Sequence, residues 1–227
     1  MRYYGGKYRT GKEIAKILKE LVEERKIKGY IEPFCGALGV MRHMINEKFP
    51  CYASDGCEDV IMLWKDVQRS KFNNPCMTKE KWLELKKSNI PSSDRAFAAF
   101  GCSYGGQWFQ GYVGDYDSSG NLDSVYRGVR NMGVNTVTFS HKDYKEINVE
   151  LGGYLVYCDP PYIDGRNTFG SSFTFDTVEF WNTVRRWRSL GNIVVVSERS
   201  APKDFDCIWS KKLSSIGSSD YVDKLFI

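Results

Sequence analysis

Apolar residues near the start of the chain fall at Ile14, Ile17, Leu18 and Leu21, the spacing of one helix face. Thr10 and Glu13 stand where a reciprocal capping box would open that helix, so it is expected from a Thr10 N-cap to about Arg25. Tyr30-Ile31-Glu32-Pro33-Phe34 is short and β-prone and predicts a strand that ends in the small residues Cys35-Gly36-Ala37-Leu38-Gly39. A helix over Val40 to Glu47 and a strand over Cys51 to Ser54, stopping at Asp55, follow from the same reading. Val60, Ile61, Leu63, Trp64 and Val67 then mark another helix. Strand, glycine turn, helix, strand and acid form the opening βαβ unit of an open α/β sheet.

The pattern changes beyond residue 72. Helical stretches are expected over 78–87 and 91–100, followed by a run from Gly101 to Tyr112 in which glycine, aromatic and amide residues interleave without period. A loop of that length in a compact chain is functional or disordered, and its aromatic content argues against disorder. The sheet pattern returns at Thr136-Val137-Thr138-Phe139, continues through the apolar run Tyr154 to Cys158, and is clearest at Asn192 to Ser197. Between the last two, Phe180, Trp181, Val184 and Trp187 lie on one stripe of a helix expected over Asp176 to Ser189. Two short strands are expected near Phe205 to Trp209 and Tyr221 to Ile227. The expected organisation is one sheet-bearing domain from residues 1–72 and 133–227, with 73–132 as an inserted region.

Composition narrows this without changing it. The 227 residues are 42% apolar and 26% charged, which excludes disordered and fibrous classes. No apolar run is long enough for a bilayer, and Met1 to Lys7 carries no apolar segment of the kind that directs export. The formal net charge of +4 permits a polyanionic partner, and the charge is uneven: nine Lys/Arg against four Glu between Met1 and Gly29. The seven cysteines form no Cys-x-x-Cys pair and there are only two histidines, so no metal is expected. Free thiols fit a reducing cytoplasm.

Chemistry concentrates at two turns. Gly36 and Gly39 let a ligand approach the backbone after a strand, and Asp55, 21 residues after Phe34, stands where an acceptor for a ribose diol is needed. Two glycines of a three-glycine fingerprint do not favour NAD, and leave a small adenosine-type ligand. The second turn is Asp159-Pro160-Pro161-Tyr162. Its prolines stiffen it, so a carboxylate, a carbonyl without a partner N–H and an aromatic face keep a fixed relation. That set suits a planar base with an exocyclic amine: Asp159 and the Pro160 carbonyl accept the amine protons while Tyr162 stacks. The basic, glycine-hinged Tyr3-Tyr4-Gly5-Gly6-Lys7 carries little by itself.

Taken together and in order, these motifs resemble the Dam-like (D12 class) DNA adenine-N6 methyltransferases. Tyr3 to Lys7 resembles that family's aromatic-x-Gly-Gly-Lys, Glu32 to Gly36 its Glu-Pro-Phe-x-Gly turn, and Asp143-Tyr144 its Asp-aromatic pair. Asp159 to Tyr162 is its catalytic tetrapeptide unchanged. The resemblance implies a Rossmann-like S-adenosylmethionine-dependent methyltransferase fold with a mainly parallel seven-stranded sheet. It implies S-adenosylmethionine contacts at Tyr3, Lys7, Phe34, Gly36, Asp55, Asp143 and Asp159, and a flipped adenine in DNA as acceptor in a bacterial or phage-infected cytoplasm. Target recognition then falls in 73–132, with Arg95, Gln107, Trp108, Gln110, Arg127, Arg130 and Asn131 as candidate DNA contacts. The chain departs from the family at Cys57, where an Asn is frequent, and at Ser197-Glu198-Arg199.

Rival chemistries fit less well. A cytosine-C5 enzyme needs a Pro-Cys nucleophile, and Pro75-Cys76 lies outside any strand context. An N4-cytosine enzyme shares the amine chemistry but usually carries Ser at the Asp159 position, and a protein-amide enzyme Asn. A DNA-binding or decoy module of the same fold without turnover is the remaining alternative.

Overall fold

Strands rich in Val, Ile and Tyr pair here as a parallel sheet buried on both faces, which is why they read as near-continuous apolar runs. The computed structural model describes residues 1, 3–23, 25–45, 48–73, 77–113, 121–161, 175–215 and 218–227. At its centre β1 (Gly29–Glu32) lies parallel to β2 (Cys51–Asp55) on one side and β4 (Tyr154–Cys158) on the other. β3 (Val137–His141) extends the sheet beyond β2, and β5 (Ile193–Glu198) beyond β4, both parallel. A hairpin of β6 (Cys207–Ser215) and β7 (Ser218–Phe226) completes it, with β7 antiparallel to β5. The order β3-β2-β1-β4-β5-β7-β6 is the mainly parallel seven-stranded sheet expected from the motifs.

Strand alternation divides the core in two. Tyr30, Leu155 and Val195 point into one cluster with Leu18 of α1 (Gly11–Glu20) and Trp64 of α2 (Glu58–Gln68). Ile31, Val156, Val194 and Val196 point into the other, with Phe180, Trp181 and Trp187 of α6 (Thr177–Ser189). Between α2 and β3 the chain forms α3 (Lys79–Lys87), α4 (Ser93–Ala96), a π-turn over Phe97–Gly101 and α5 (Asn121–Arg130). Trp82, Phe97, Phe100 and Tyr126 of this stretch belong to the same buried cluster as Trp64. A buried ion pair bolts it to α2: Arg95 Nη1 lies 2.7 Å from Asp59 Oδ2, while Asp59 Oδ1 accepts from Ser92 N at 2.9 Å.

Several boundaries differ from the sequence reading. Thr10 adopts helical backbone angles and its side chain caps nothing. Glu13 instead reaches β6, accepting from Trp209 Nε1 at 3.0 Å and pairing with Lys211. The helix ends at Glu20, short of Arg25. β1 stops at Glu32 because Pro33 has no N–H to give the ladder. The helix expected over Val40 to Glu47 is a single 3-10 turn, Met41–His43. Gly101 to Tyr112 is not bare loop: it holds a 3-10 turn at Tyr104–Gly106 and a Ser103–Tyr112 bridge. α5 appears where no helix was expected.

Among the described residues no helix is long and apolar enough to cross a membrane, and no group of three or more His, Cys, Asp or Glu is placed to hold a metal. Cys35, Cys51, Cys102 and Cys158 are buried as small core residues.

Candidate active site

From the centre of the sheet the chain winds outward in two directions, β1 to β2 to β3 and β4 to β5. The carboxyl ends of the adjacent strands β1 and β4 therefore flank a switch point, where open α/β sheets hold their ligands. The first of the two turns follows β1 and the second follows β4.

The first turn is fixed from both sides. Gly36 has φ 42°, a left-handed angle that favours glycine. Its N–H donates to Asp55 Oδ2 at 2.9 Å, and its carbonyl accepts from Trp64 Nε1 at 2.7 Å. Asp55 Oδ1 accepts from Cys57 N at 2.9 Å, and Cys35 N donates to Ser54 O at 2.9 Å. The Tyr3 ring lies so close that a Cβ on Gly36 would stand 2.9 Å from Tyr3 Cε1. The far side of Tyr3 meets Phe100, with ring centroids 4.3 Å apart, and Tyr4 N donates to Gly106 O at 2.9 Å. The N-terminal motif thus ties the glycine turn to the 97–106 stretch. Burial raises the Asp55 carboxyl, and the N–H groups of Cys57 and Gly36 and the nearby His141 oppose the rise. Asp55 remains partly exposed, and each of its oxygens accepts one backbone N–H, so acceptor capacity is left for a ribose diol. The donor set fits an adenosine ligand.

At the second turn, Lys7 Nζ stands 2.7 Å from Asp159 Oδ1 and also donates to Gly5 O at 3.2 Å. Lys7 is 5% exposed and the Asp159 side chain 18%. Burial pushes the Asp159 carboxyl up to about 6; Lys7 opposes that rise and Asp223 adds to it. Glu32, at the end of β1, is buried and accepts from Tyr30 Oη at 2.5 Å. Burial pushes Glu32 up to about 8, against the Tyr30 hydrogen bond and with the charge of Asp159. Pro160 is buried and Pro161 half-buried, while Tyr162 lies outside the described residues.

An aromatic group lines the same edge. Phe34 packs against Tyr144 at 5.3 Å, Phe180 at 5.8 Å and Phe175 at 6.0 Å between ring centroids. Asp143 is exposed and caps the 3-10 turn Tyr144–Glu146: its carboxylate accepts from Lys145 N at 3.0 Å and Glu146 returns the bond to Asp143 N at 2.8 Å. The reciprocal box expected at Thr10 is found here.

The candidate DNA contacts scatter. Arg95 is spent inside the fold, on Asp59, on Leu85 O at 3.2 Å and over the Trp108 ring at 4.8 Å, which corrects its reading as a base or phosphate contact. Trp108 is half-buried and meets Phe100 edge-on at 5.2 Å. Gln107 is half-buried and Gln110 exposed, both near the Tyr104–Gly106 turn. Arg127 and Arg130 are exposed on α5, and Asn131 is exposed just after it. An open concavity of about 490 Å³ lies not at the Gly36–Asp159 edge but between α5 and the Met41–His43 turn.

Sequence reasoning missed the Lys7–Asp159 pair and the Tyr30–Glu32 pair. The second had a signal, since Tyr30 and Glu32 are two apart on one strand and share a face. The first spans 152 positions and had none.

The model of the D12 class N6 adenine-specific DNA methyltransferases matches residues 3–93. The matched stretch contains Tyr3 to Lys7, Glu32 to Gly36 and Asp55, so the class implied by these motifs is the class found. No curated protein matches the sequence. Among solved structures the chain is similar to the magnesium protoporphyrin IX methyltransferase of Synechocystis PCC 6803 with bound SAM, at 10% identity and TM-score 0.43, covering 96% of this chain and 78% of that one. With SAH bound, the same protein gives 11% identity and TM-score 0.40, covering 96% and 84%.

Proposed function

We propose that this chain, a D12-class N6 adenine-specific DNA methyltransferase by its residues 3–93, methylates the exocyclic amine of an adenine flipped out of DNA, with S-adenosylmethionine as donor. The observation that carries the reading is Asp159: a carboxylate at the switch point, partly exposed, beside a stiff Pro-Pro turn. Tyr3, Phe34, Gly36 and Asp55 would hold the donor, with Asp55 receiving its ribose hydroxyls. Asp143 joins them because it follows β3, whose register sets His141 beside Asp55. When bound there, S-adenosylmethionine supplies an electrophilic methyl group.

The adenine amine is a poor nucleophile, because its lone pair is delocalised into the ring. Asp159 and the Pro160 carbonyl accept its two N–H bonds and return electron density to nitrogen. The amine sheds one proton as it becomes a secondary amine. Asp159, held near a pKa of about 6, takes that proton and releases it to water. Stacking on Tyr162 offsets part of the cost of extruding the base, at roughly 1–3 kcal/mol per aromatic–base contact. Residues 73–132 act as the target-recognition region, and the reaction belongs to the cytoplasm of a bacterial or phage-infected cell.

The test is transfer of label from S-adenosylmethionine to DNA, followed by identification of the modified base. N6-methyladenine is the expected product. N4-methylcytosine would reassign the acceptor, and donor binding without any labelled DNA would make the chain a decoy. Tyr162→Ala should slow transfer on duplex DNA.

A further inference from the structure

The site just described accounts for the extruded base but not for the strand that carries it. The concavity of about 490 Å³ is walled on one side by Arg42 and His43 and on the other by Arg127, Gly128, Asn131 and Met132. Among the described residues lining it, none is an acid. Burial lowers the His43 imidazole, and the charges of Arg42, Lys19 and Lys12 lower it further, so the positive field extends from the groove along α1. His43 Nε2 accepts from Arg42 Nε at 3.1 Å, which leaves the imidazole neutral and turns the guanidinium face toward Tyr8, 4.6 Å from its ring centroid.

Two guanidinium groups lining one open concavity suit a linear polyanion, because each can take a phosphate oxygen of the chain lying across it. Asn131 adds an amide, which binds phosphate oxygen or sugar without reading sequence. Groove and active site are linked through adjacent residues: Arg42 lies over the Tyr8 ring, and Tyr8 follows Lys7, which pairs with Asp159.

We infer that the groove between the Met41–His43 turn and the end of α5 binds the phosphodiester backbone of the DNA strand bearing the target adenine, with Arg42 and Arg127 as paired phosphate contacts. The inference rests on reading the chain as a DNA methyltransferase. It gives the groove the sequence-independent part of binding and leaves base recognition to other residues.

The test measures affinity for a short adenine-containing duplex between about 50 and 200 mM salt. Each phosphate contact contributes about 0.9 to the slope of log affinity against log salt, so Arg42→Gln with Arg127→Gln should flatten the slope by about 1.8. S-adenosylmethionine affinity should not change. Because Arg42 is half-buried, Arg127→Gln alone is the safeguard: exposed on α5, it should flatten the slope by about 0.9 in a folded protein. An unchanged slope in both variants overturns the inference. The two readings fail separately. A wild-type protein that labels DNA while the variants keep its slope loses only the groove. One that binds DNA with the expected slope changes but never labels it loses only the activity.

Discussion

Two aspartates stand at the same edge of the same sheet, and they are held in opposite ways. Asp55 ends β2 and Asp159 follows β4, on either side of β1. Burial raises both carboxyls. Asp55 is bound by the backbone N–H groups of Gly36 and Cys57, which cannot leave without unfolding the turn. Asp159 is bound by the ammonium of Lys7, a buried side chain that also donates to Gly5 O. An acid fixed by backbone suits a ligand that binds and stays. An acid paired with a side-chain cation through one oxygen can offer the other to a substrate N–H.

The sharpest way to break this contrast is to remove each acid in turn. Asp159→Ala should cost roughly 10²–10⁴-fold in methyl transfer, the usual worth of a positioned proton acceptor, while donor binding persists. Asp55→Ala should reverse the pattern, with donor affinity lost first. Equal losses of donor binding in the two variants would reject the division of labour. Lys7→Met tests the cationic partner. Transfer needs the Asp159 carboxylate ionised, so the wild-type rate should fall as pH drops through about 6. Without the ammonium, Asp159 faces burial together with the charge of Asp223, and its acid limb should move up. The variant should lose most at acidic and neutral pH and recover under alkaline conditions, with Lys7→Arg restoring the profile. An acid limb that stays in place would mean that Lys7 only packs.

How much of this was legible follows from what each feature depends on. The sheet could be read because Tyr154 to Cys158 and Ile193 to Val196 lie in strands buried on both faces and carry unbroken apolar runs. Asp55, Gly36 and Asp159 could be read because a turn after a strand fixes where its residues point. Arg95 could not: whether an arginine meets solvent or Asp59 depends on α4 packing against α2, which no local pattern encodes. The same holds for Thr10 and Glu13, which have the spacing of a capping box, although β6 offers Glu13 the stronger partners Trp209 and Lys211. α5 was missed although Leu122, Val125, Tyr126 and Val129 have the i, i+3, i+4, i+7 spacing of one helix face, because the loop reading of the preceding glycine-rich run extends through it.

Glu32 extends the comparison to a third acid, one bonded to a neutral phenol. It is buried on a strand, bonded to Tyr30 and pushed up to about 8. A carboxyl whose pKa is raised on folding favours the folded state most below its unfolded value of 4.5, and that advantage is lost as pH rises through about 8. Wild-type stability should therefore decline between these limits by a few kcal/mol. Glu32→Gln should flatten the decline in denaturant titrations run across that range. A wild-type curve that is already flat would mean that Glu32 stays ionised.

The smallest effect sharpens the account of the fixed turn. Gly36 is gripped through its N–H by Asp55 and through its carbonyl by the Trp64 indole. Trp64 is fully buried in α2, so Trp64→Phe keeps most of the packing and removes one hydrogen bond from a neutral donor. Such a bond is worth about 1 kcal/mol net, which is roughly a five-fold change in an equilibrium. If the turn's geometry serves the donor, that loss should appear as weaker S-adenosylmethionine binding with little change in the rate at saturating donor. If it appears only as a lower melting temperature, with donor affinity intact, then Trp64 supports the fold, and the glycine turn is held by Asp55, the Cys35–Ser54 bond and the Tyr3 ring.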